Sequence, residues 1–137
     1  MALIPLDVAS KISAVESIEQ MTLQVAEDIV PGAPVRVDPA TGKFTNSNGT
    51  DAAEARTYGI AVGSHTIQAG LAVTAVRRGV LSGFAFSQAY DAPIYVSDTD
   101  GRLGDASGTV SVVAGRVIPV PSELLGIAFG KLLLVNL

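Results

Sequence analysis

The chain has 137 residues, a formal net charge of −4 and no cysteine, which points to one domain and excludes disulfides, thiolate metal sites and cysteine nucleophiles together. The nine Lys and Arg residues are scattered apart from Arg77-Arg78, and aromatic residues are 5%, so neither the cation cluster nor the stacking platform of a nucleic-acid binder is present. No stretch approaches the roughly 18–20 uninterrupted apolar residues that span a bilayer.

Charged residues are only 16% and mean hydropathy is +0.43. A small domain has much surface to cover, so a chain this poor in charge is expected to hide part of its exterior against other chains, as a homo-oligomer or within a lattice. The opening Met1-Ala2-Leu3-Ile4-Pro5-Leu6-Asp7 lacks the basic and continuously apolar regions of a signal peptide, and synthesis in the cytoplasm is expected.

Residues 1–20 differ from the rest. Ile12, Val15 and Ile18 recur at three-residue spacing, and Ser13-Ala14-Val15-Glu16 fits the Ser-x-x-Glu capping box, which together allow a short helix. An extended arm that gains order by lying on a neighbour is the equal alternative. Leu3, Ile4, Leu6, Val8, Ile12 and Val15 are apolar with no β-unit of their own to pack in, and they are candidate interface residues.

Residues 21–137 read as all-β. The chain's fourteen glycines and six of its seven prolines punctuate short runs rich in Val, Ile, Leu and Ala there, and no helical period is sustained. The expected strands are Met21–Ala26, Pro34–Asp38, Tyr58–Val62, Ala72–Arg77, Val80–Phe86, Pro93–Ser97, Val110–Val113, Arg116–Val120, Leu124–Phe129 and Lys131–Leu137. In Met21-Thr22-Leu23-Gln24-Val25 the alternation places Met21, Leu23 and Val25 on one face. Asp38-Pro39-Ala40-Thr41-Gly42 and Asp98-Thr99-Asp100-Gly101 read as tight turns with glycine at a left-handed position. The polar stretch Thr45–Asp51 reads as an exposed, mobile loop.

Chemistry-bearing residues are sparse. His65 is the one histidine and no Gly-x-Ser-x-Gly accompanies it, so it reads as a surface or interface residue. One histidine without cysteine cannot supply a structural zinc site. Asp98, Asp100 and Asp105 lack the third ligand and the bidentate Glu of a calcium loop. Gly59-Ile60-Ala61-Val62-Gly63 lacks both the glycine spacing and the following helix of a phosphate-binding turn, and reads as strand. Arg77 and Arg78 are candidate interface residues, of which adjacent strand positions allow one to face any given partner. No catalytic residue, cofactor or metal is expected.

An internal repeat organises the sequence. Ala33-Pro34-Val35-Arg36-Val37-Asp38-Pro39-Ala40-Thr41-Gly42-Lys43-Phe44 aligns without gaps on Ala92-Pro93-Ile94-Tyr95-Val96-Ser97-Asp98-Thr99-Asp100-Gly101-Arg102-Leu103. Tyr58-Gly59-Ile60-Ala61-Val62-Gly63 matches Leu125-Gly126-Ile127-Ala128-Phe129-Gly130, and one more apolar strand follows each. Two similar halves, at about 33–80 and 92–137, should pack into one small β-barrel or sandwich. Val35, Val37, Ile60, Val62, Ile94, Val96, Ile127 and Phe129 are expected to share its core.

The order of these motifs over residues 21–137 resembles the bacteriophage head decoration, or capsid cement, proteins with a duplicated β plan. The carrying residues are Gly32-Ala33-Pro34-Val35-Arg36-Val37-Asp38 with Gly42-Lys43, Gly59-Ile60-Ala61, and Val73–Arg78 leading into Gly79-Val80; then Asp91-Ala92-Pro93-Ile94-Tyr95-Val96, Gly101-Arg102, Gly126-Ile127-Ala128 and Leu132–Leu137. The resemblance implies a non-enzymatic virion protein on the outer capsid surface. Its partners would be the major capsid protein and other copies of itself, usually as trimers and sometimes as dimers. The alternative function is a small oligomeric β-barrel enzyme or ligand-binding module with a site between protomers.

Overall fold

A computed structural model describes residues 2–119 and 131–137. The described residues form nine strands and no helix: β1 (Ser13–Gln24), β2 (Pro34–Val37), β3 (Phe44–Asn46), β4 (Gly59–Val62), β5 (Ala72–Ser82), β6 (Pro93–Val96), β7 (Leu103–Gly104), β8 (Val113–Pro119) and β9 (Lys131–Asn136). All pairings between them are antiparallel, in one curled sheet of order β3-β2-β4-β5-β9-β8-β6-β7, with β1 laid along β5. The all-β barrel-like class expected from the punctuation is the class observed.

The strand order reads the same from both ends, because β3-β2-β4-β5 and β7-β6-β8-β9 are two copies of one plan joined at β5 and β9. Registers repeat with it. Val37 faces Phe44 and Arg36 faces Thr45 in the first copy; Val96 faces Leu103 and Tyr95 faces Gly104 in the second. Pro34 faces Ile60 and Val35 faces Gly59, while Pro93 faces Arg116 and Ile94 faces Gly115. The place held by β4 in the first half is therefore held by β8 in the second. The expected counterpart of Tyr58–Gly63, Leu125–Gly130, lies outside the described residues, as do the expected strand Leu124–Phe129 and the expected core residues Ile127 and Phe129.

Close strand approach explains why glycine occupies this paired position. A Cβ on Gly59 would lie 2.6 Å from the Val76 carbonyl oxygen, and one on Gly115 would collide with the Leu134 carbonyl oxygen. Only a residue without a side chain admits the neighbouring backbone there.

Among the described residues two hydrophobic clusters stand in place of the single shared core. The larger gathers Ile4, Ile12, Ile60, Val76, Leu81, Phe84, Ile94, Val96, Leu103, Ala114, Val117, Leu133 and Val135. The smaller gathers Val25, Ile29, Ala33, Val35, Phe44, Ala61, Ile67, Val73 and Ala75. Ile60 and Val76 belong to one cluster while Ala61 and Ala75 belong to the other. The paired segments of β4 and β5 are thus covered on both faces, and an unbroken apolar run such as Gly59-Ile60-Ala61 is what two covered faces require. Of the other expected core residues, Val62 is half-buried and Val37, at the strand end, is 41% exposed.

Three local expectations are corrected. The expected strands Ala72–Arg77 and Val80–Phe86 are one strand, β5, ending at Ser82. Val110–Val113 contributes only Val113, which opens β8. The supposed loop at Thr45–Asp51 begins as strand β3 and continues into a built junction. Ser47 is fully buried, its hydroxyl donates to the Glu54 carbonyl at 2.8 Å, and it lies 2.6 Å from the Thr57 hydroxyl. The Gly49 N–H donates to the Ser97 carbonyl at 2.8 Å and the Gly101 N–H to the Ser47 carbonyl at 2.9 Å. These bonds tie the far ends of the two copies together, so the polar residues serve buried backbone groups that would otherwise lack partners.

Candidate functional site

The segment before β1 is extended, and it is a component of the fold. Leu3 bridges Gly104, Leu6 bridges Phe84 and Ile12 bridges Gly63. The Ile4 N–H donates to the Leu103 carbonyl at 3.0 Å, and Asp7 N–H to the Gly83 carbonyl at 2.8 Å. Ile4 and Ile12 are 3% and 2% exposed, inside the larger cluster. Neither is available to a partner, which corrects their assignment as interface residues. Burying two isoleucines on the chain's own barrel removes the reason to seek a second surface. Leu3, Leu6 and Val15 are half-buried, and Val8 is 58% exposed.

Asp105 fastens the start of this segment. Its carboxylate accepts the Ala2 N–H at 2.8 Å and the Gln88 amide at 3.5 Å, and its own N–H donates to the Ala2 carbonyl at 3.1 Å. The bond from the Ala2 N–H is the main reason its carboxyl is held below the ordinary value. A cavity of about 450 Å³ lies beside the segment, floored by Ile4, Leu6, Phe84 and Leu103 and rimmed by Asp28, Asp100 and Arg102.

The short helix is also corrected, because Ser13–Gln24 is the longest strand among the described residues. Successive β5 residues Leu81 and Val80 face Ala14 and Glu16, and Gly79 and Arg78 face Ser17 and Glu19. Val15 and Ile18 are thus extra residues, each left without a partner on β5. Two bulges in a period-two strand turn its apolar spacing into Ile12, Val15, Ile18, Met21, which mimics the spacing of a helix. The strand crosses the expected boundary at residue 20, so β1 belongs to the β-domain. Among the described residues no strand pairs with the other edge of β1 until Val25 meets Phe44. Ile18, at 72% exposure, is the most exposed large apolar residue among those described.

Arg77 and Arg78 are both exposed on β5. Arg77 is committed within the chain: its Nε lies 3.4 Å from Glu19 Oε2 and donates to the Leu137 carbonyl at 3.0 Å, and its guanidinium lies 5.9 Å from the Tyr58 ring centre. Burial foremost, and then Glu19, push the Tyr58 hydroxyl upward, against the opposing pull of Arg77. Arg78 faces Glu19 across one ladder and Asn136 across another.

The acidic triplet is dispersed. Asp98 accepts the Thr109 N–H and hydroxyl at 2.8 and 2.9 Å, Asp100 accepts the Asn48 amide at 2.9 Å, and Asp105 holds Ala2. Among the described residues no group of three His, Asp or Glu side chains is placed to hold a metal. His65 is exposed, with Nδ1 3.1 Å from the Thr66 carbonyl. Exposed apolar side chains are spread over several loops and strands, with Val30, Leu71, Tyr90 and Val113 each between 44% and 55% exposed. Of the surface features, the bulged edge of β1 is the one that composition and spacing did not single out, because its bulges disguised it. No family model, curated protein or solved structure matches the chain.

Proposed function

We propose that the chain is a non-enzymatic capsid decoration protein. It binds the outer surface of a phage head as a homo-oligomer and stabilises the shell by bridging major capsid protein subunits. The observation that carries this reading is the ordered series of repeat motifs from Ala33 to Gly101-Arg102, whose two copies repeat their strand registers. The low charge and the exposed Val8, Ile18, Leu71 and Tyr90 support it, since apolar residues left in water gain by burial against another chain. Arg78 and Val8 remain candidate contacts. Many weak contacts on one shell add up because each favours the assembled state by mass action.

The test is to mix purified protein with undecorated heads and follow sedimentation and heat-induced genome release. Saturable, stoichiometric binding that raises the release temperature is expected. Heads that sediment without the protein at saturating concentration refute the reading. The cavity of about 450 Å³ beside Ile4 and Arg102 favours a second reading, a ligand-binding module, because its size and apolar floor suit a small molecule. A screened ligand that raises the melting temperature, with the effect abolished by Leu6→Trp, supports that reading, and the absence of any such ligand refutes it.

A further inference from the structure

We propose that β1 is the seam between two copies of this chain, joined edge to edge about a twofold axis at Ile18. This rests on the homo-oligomeric part of the reading above and adds the surface and its symmetry. Strand edges elsewhere in the described sheet are covered: Leu3 and Ile4 lie along β7, and Val25 lies beside β3. The edge of β1 from Ser13 to Leu23 has no strand on it among the described residues, and its side chains are exposed or half-buried throughout. An open row of backbone donors and acceptors is a template for another strand.

The sequence of that edge selects the partner. Ile18 lies at the centre of the open edge of β1, and it is the residue with 72% exposure. Antiparallel pairing about it sets Ile18 against its own copy, Val15 against Met21, Glu16 against Gln20 and Ser17 against Glu19. Apolar meets apolar and each glutamate meets an uncharged residue. Sliding the pairing by one residue in one direction opposes Glu16 to Glu19, and in the other opposes Ile18 to Glu19. Like charges directly opposite destabilise a ladder and a charge opposite Ile18 costs it its apolar partner, so the register centred on Ile18 is favoured over both of its neighbours. The bulges at Val15 and Ile18 coil the strand and resist a flat edge. A second β1, coiled to the same degree and hand, follows that curve, as an isologous contact requires.

The chain has no cysteine, so single thiols report the register. Side chains directly opposite across an antiparallel pair lie close enough to form a disulfide. In the full-length protein, Ile18→Cys should give covalent dimers on mild oxidation. Glu16→Cys and Gln20→Cys should give none alone but should cross-link when mixed. Ile18→Lys should shift the light-scattering mass from two copies to one with an unchanged β-sheet circular dichroism spectrum, because the exposed side chain has no role in the core. Failure of Ile18→Cys to cross-link, or equal cross-linking of all three single variants, overturns the seam. A wild-type mass of 14.0 kDa overturns the homo-oligomer with it, whereas an oligomer indifferent to Ile18→Lys overturns the seam alone.

Discussion

At the scale of single residues, Gly42 and Gly101 occupy the same turn of the two copies and differ in what surrounds them. Their φ angles are +71° and +69°, a left-handed conformation that costs other residues about 1–2 kcal/mol. A Cβ on Gly42 would meet nothing within 4 Å, while one on Gly101 would lie 2.5 Å from the Asn46 side-chain oxygen. Gly42→Ala should therefore cost about 1 kcal/mol and Gly101→Ala clearly more, measured by urea denaturation; equal costs would show that Asn46 yields freely. The turns themselves were legible from Asp38–Gly42 and Asp98–Gly101. The crowding was not, because Asn46 comes from the other half of the chain and no local pattern announces it. Asp105 shows the same limit: Ala2, Gln88 and Asp105 meet only in three dimensions. Its carboxyl is depressed in the folded chain, so the stability it contributes is present above its unfolded value of about 3.9 and is lost as pH falls through the folded value. Asp105→Asn should lower the melting temperature near neutral pH, and the gap should close below about pH 4. A gap constant across that range would mean that the hydrogen bond from Ala2 does not depend on the charge.

At the scale of elements, the amino-terminal segment changes role once its contacts are known. Its apolar residues are the same whether it grips another protein or closes its own barrel, so composition alone cannot separate the two. The outcome is decided by Gly63, Phe84 and Gly104, which offer backbone bridges to Ile12, Leu6 and Leu3. Ile4 and Ile12 are then core residues, and Ile4→Ala and Ile12→Ala should each cost about 2–5 kcal/mol. Removing residues 2–12 deletes both, together with their backbone bonds, and a domain with about 5–15 kcal/mol in total has little to spare. The truncated chain should lose its cooperative melting transition in calorimetry. A sharp transition near the wild-type temperature would return the segment to the role of a detachable arm. The strand β1 was half legible: the clean alternation at Met21–Val25 marked its end, whereas Val15 and Ile18 hid its beginning by inserting one residue each.

At the scale of the whole molecule, duplication was read correctly from Ala33–Phe44 and Ala92–Leu103, which hold equivalent places in the sheet to the residue. Gly59 lies under a crossing carbonyl, a requirement met in the second half at Gly115 amid the dissimilar Arg116-Val117, while the matching Gly126-Ile127-Ala128 lies outside the described residues. Two copies and two hydrophobic clusters invite the view that the halves fold separately, yet the strands contradict it. β4 and β5 give alternate residues to the two clusters, Ile60 and Val76 to one and Ala61 and Ala75 to the other. Neither cluster survives loss of these strands, and loss of either cluster strips one of their faces. Unfolding should therefore be a single transition. The chain has no tryptophan, so Phe44→Trp, in the smaller cluster, and Phe84→Trp, in the larger, each provide one local probe. In each variant the tryptophan fluorescence and the far-ultraviolet circular dichroism should change together along a urea titration, with one midpoint and one slope. If fluorescence at position 44 is lost well before the bulk of the sheet, the halves are separable units and the shared strands do not couple them.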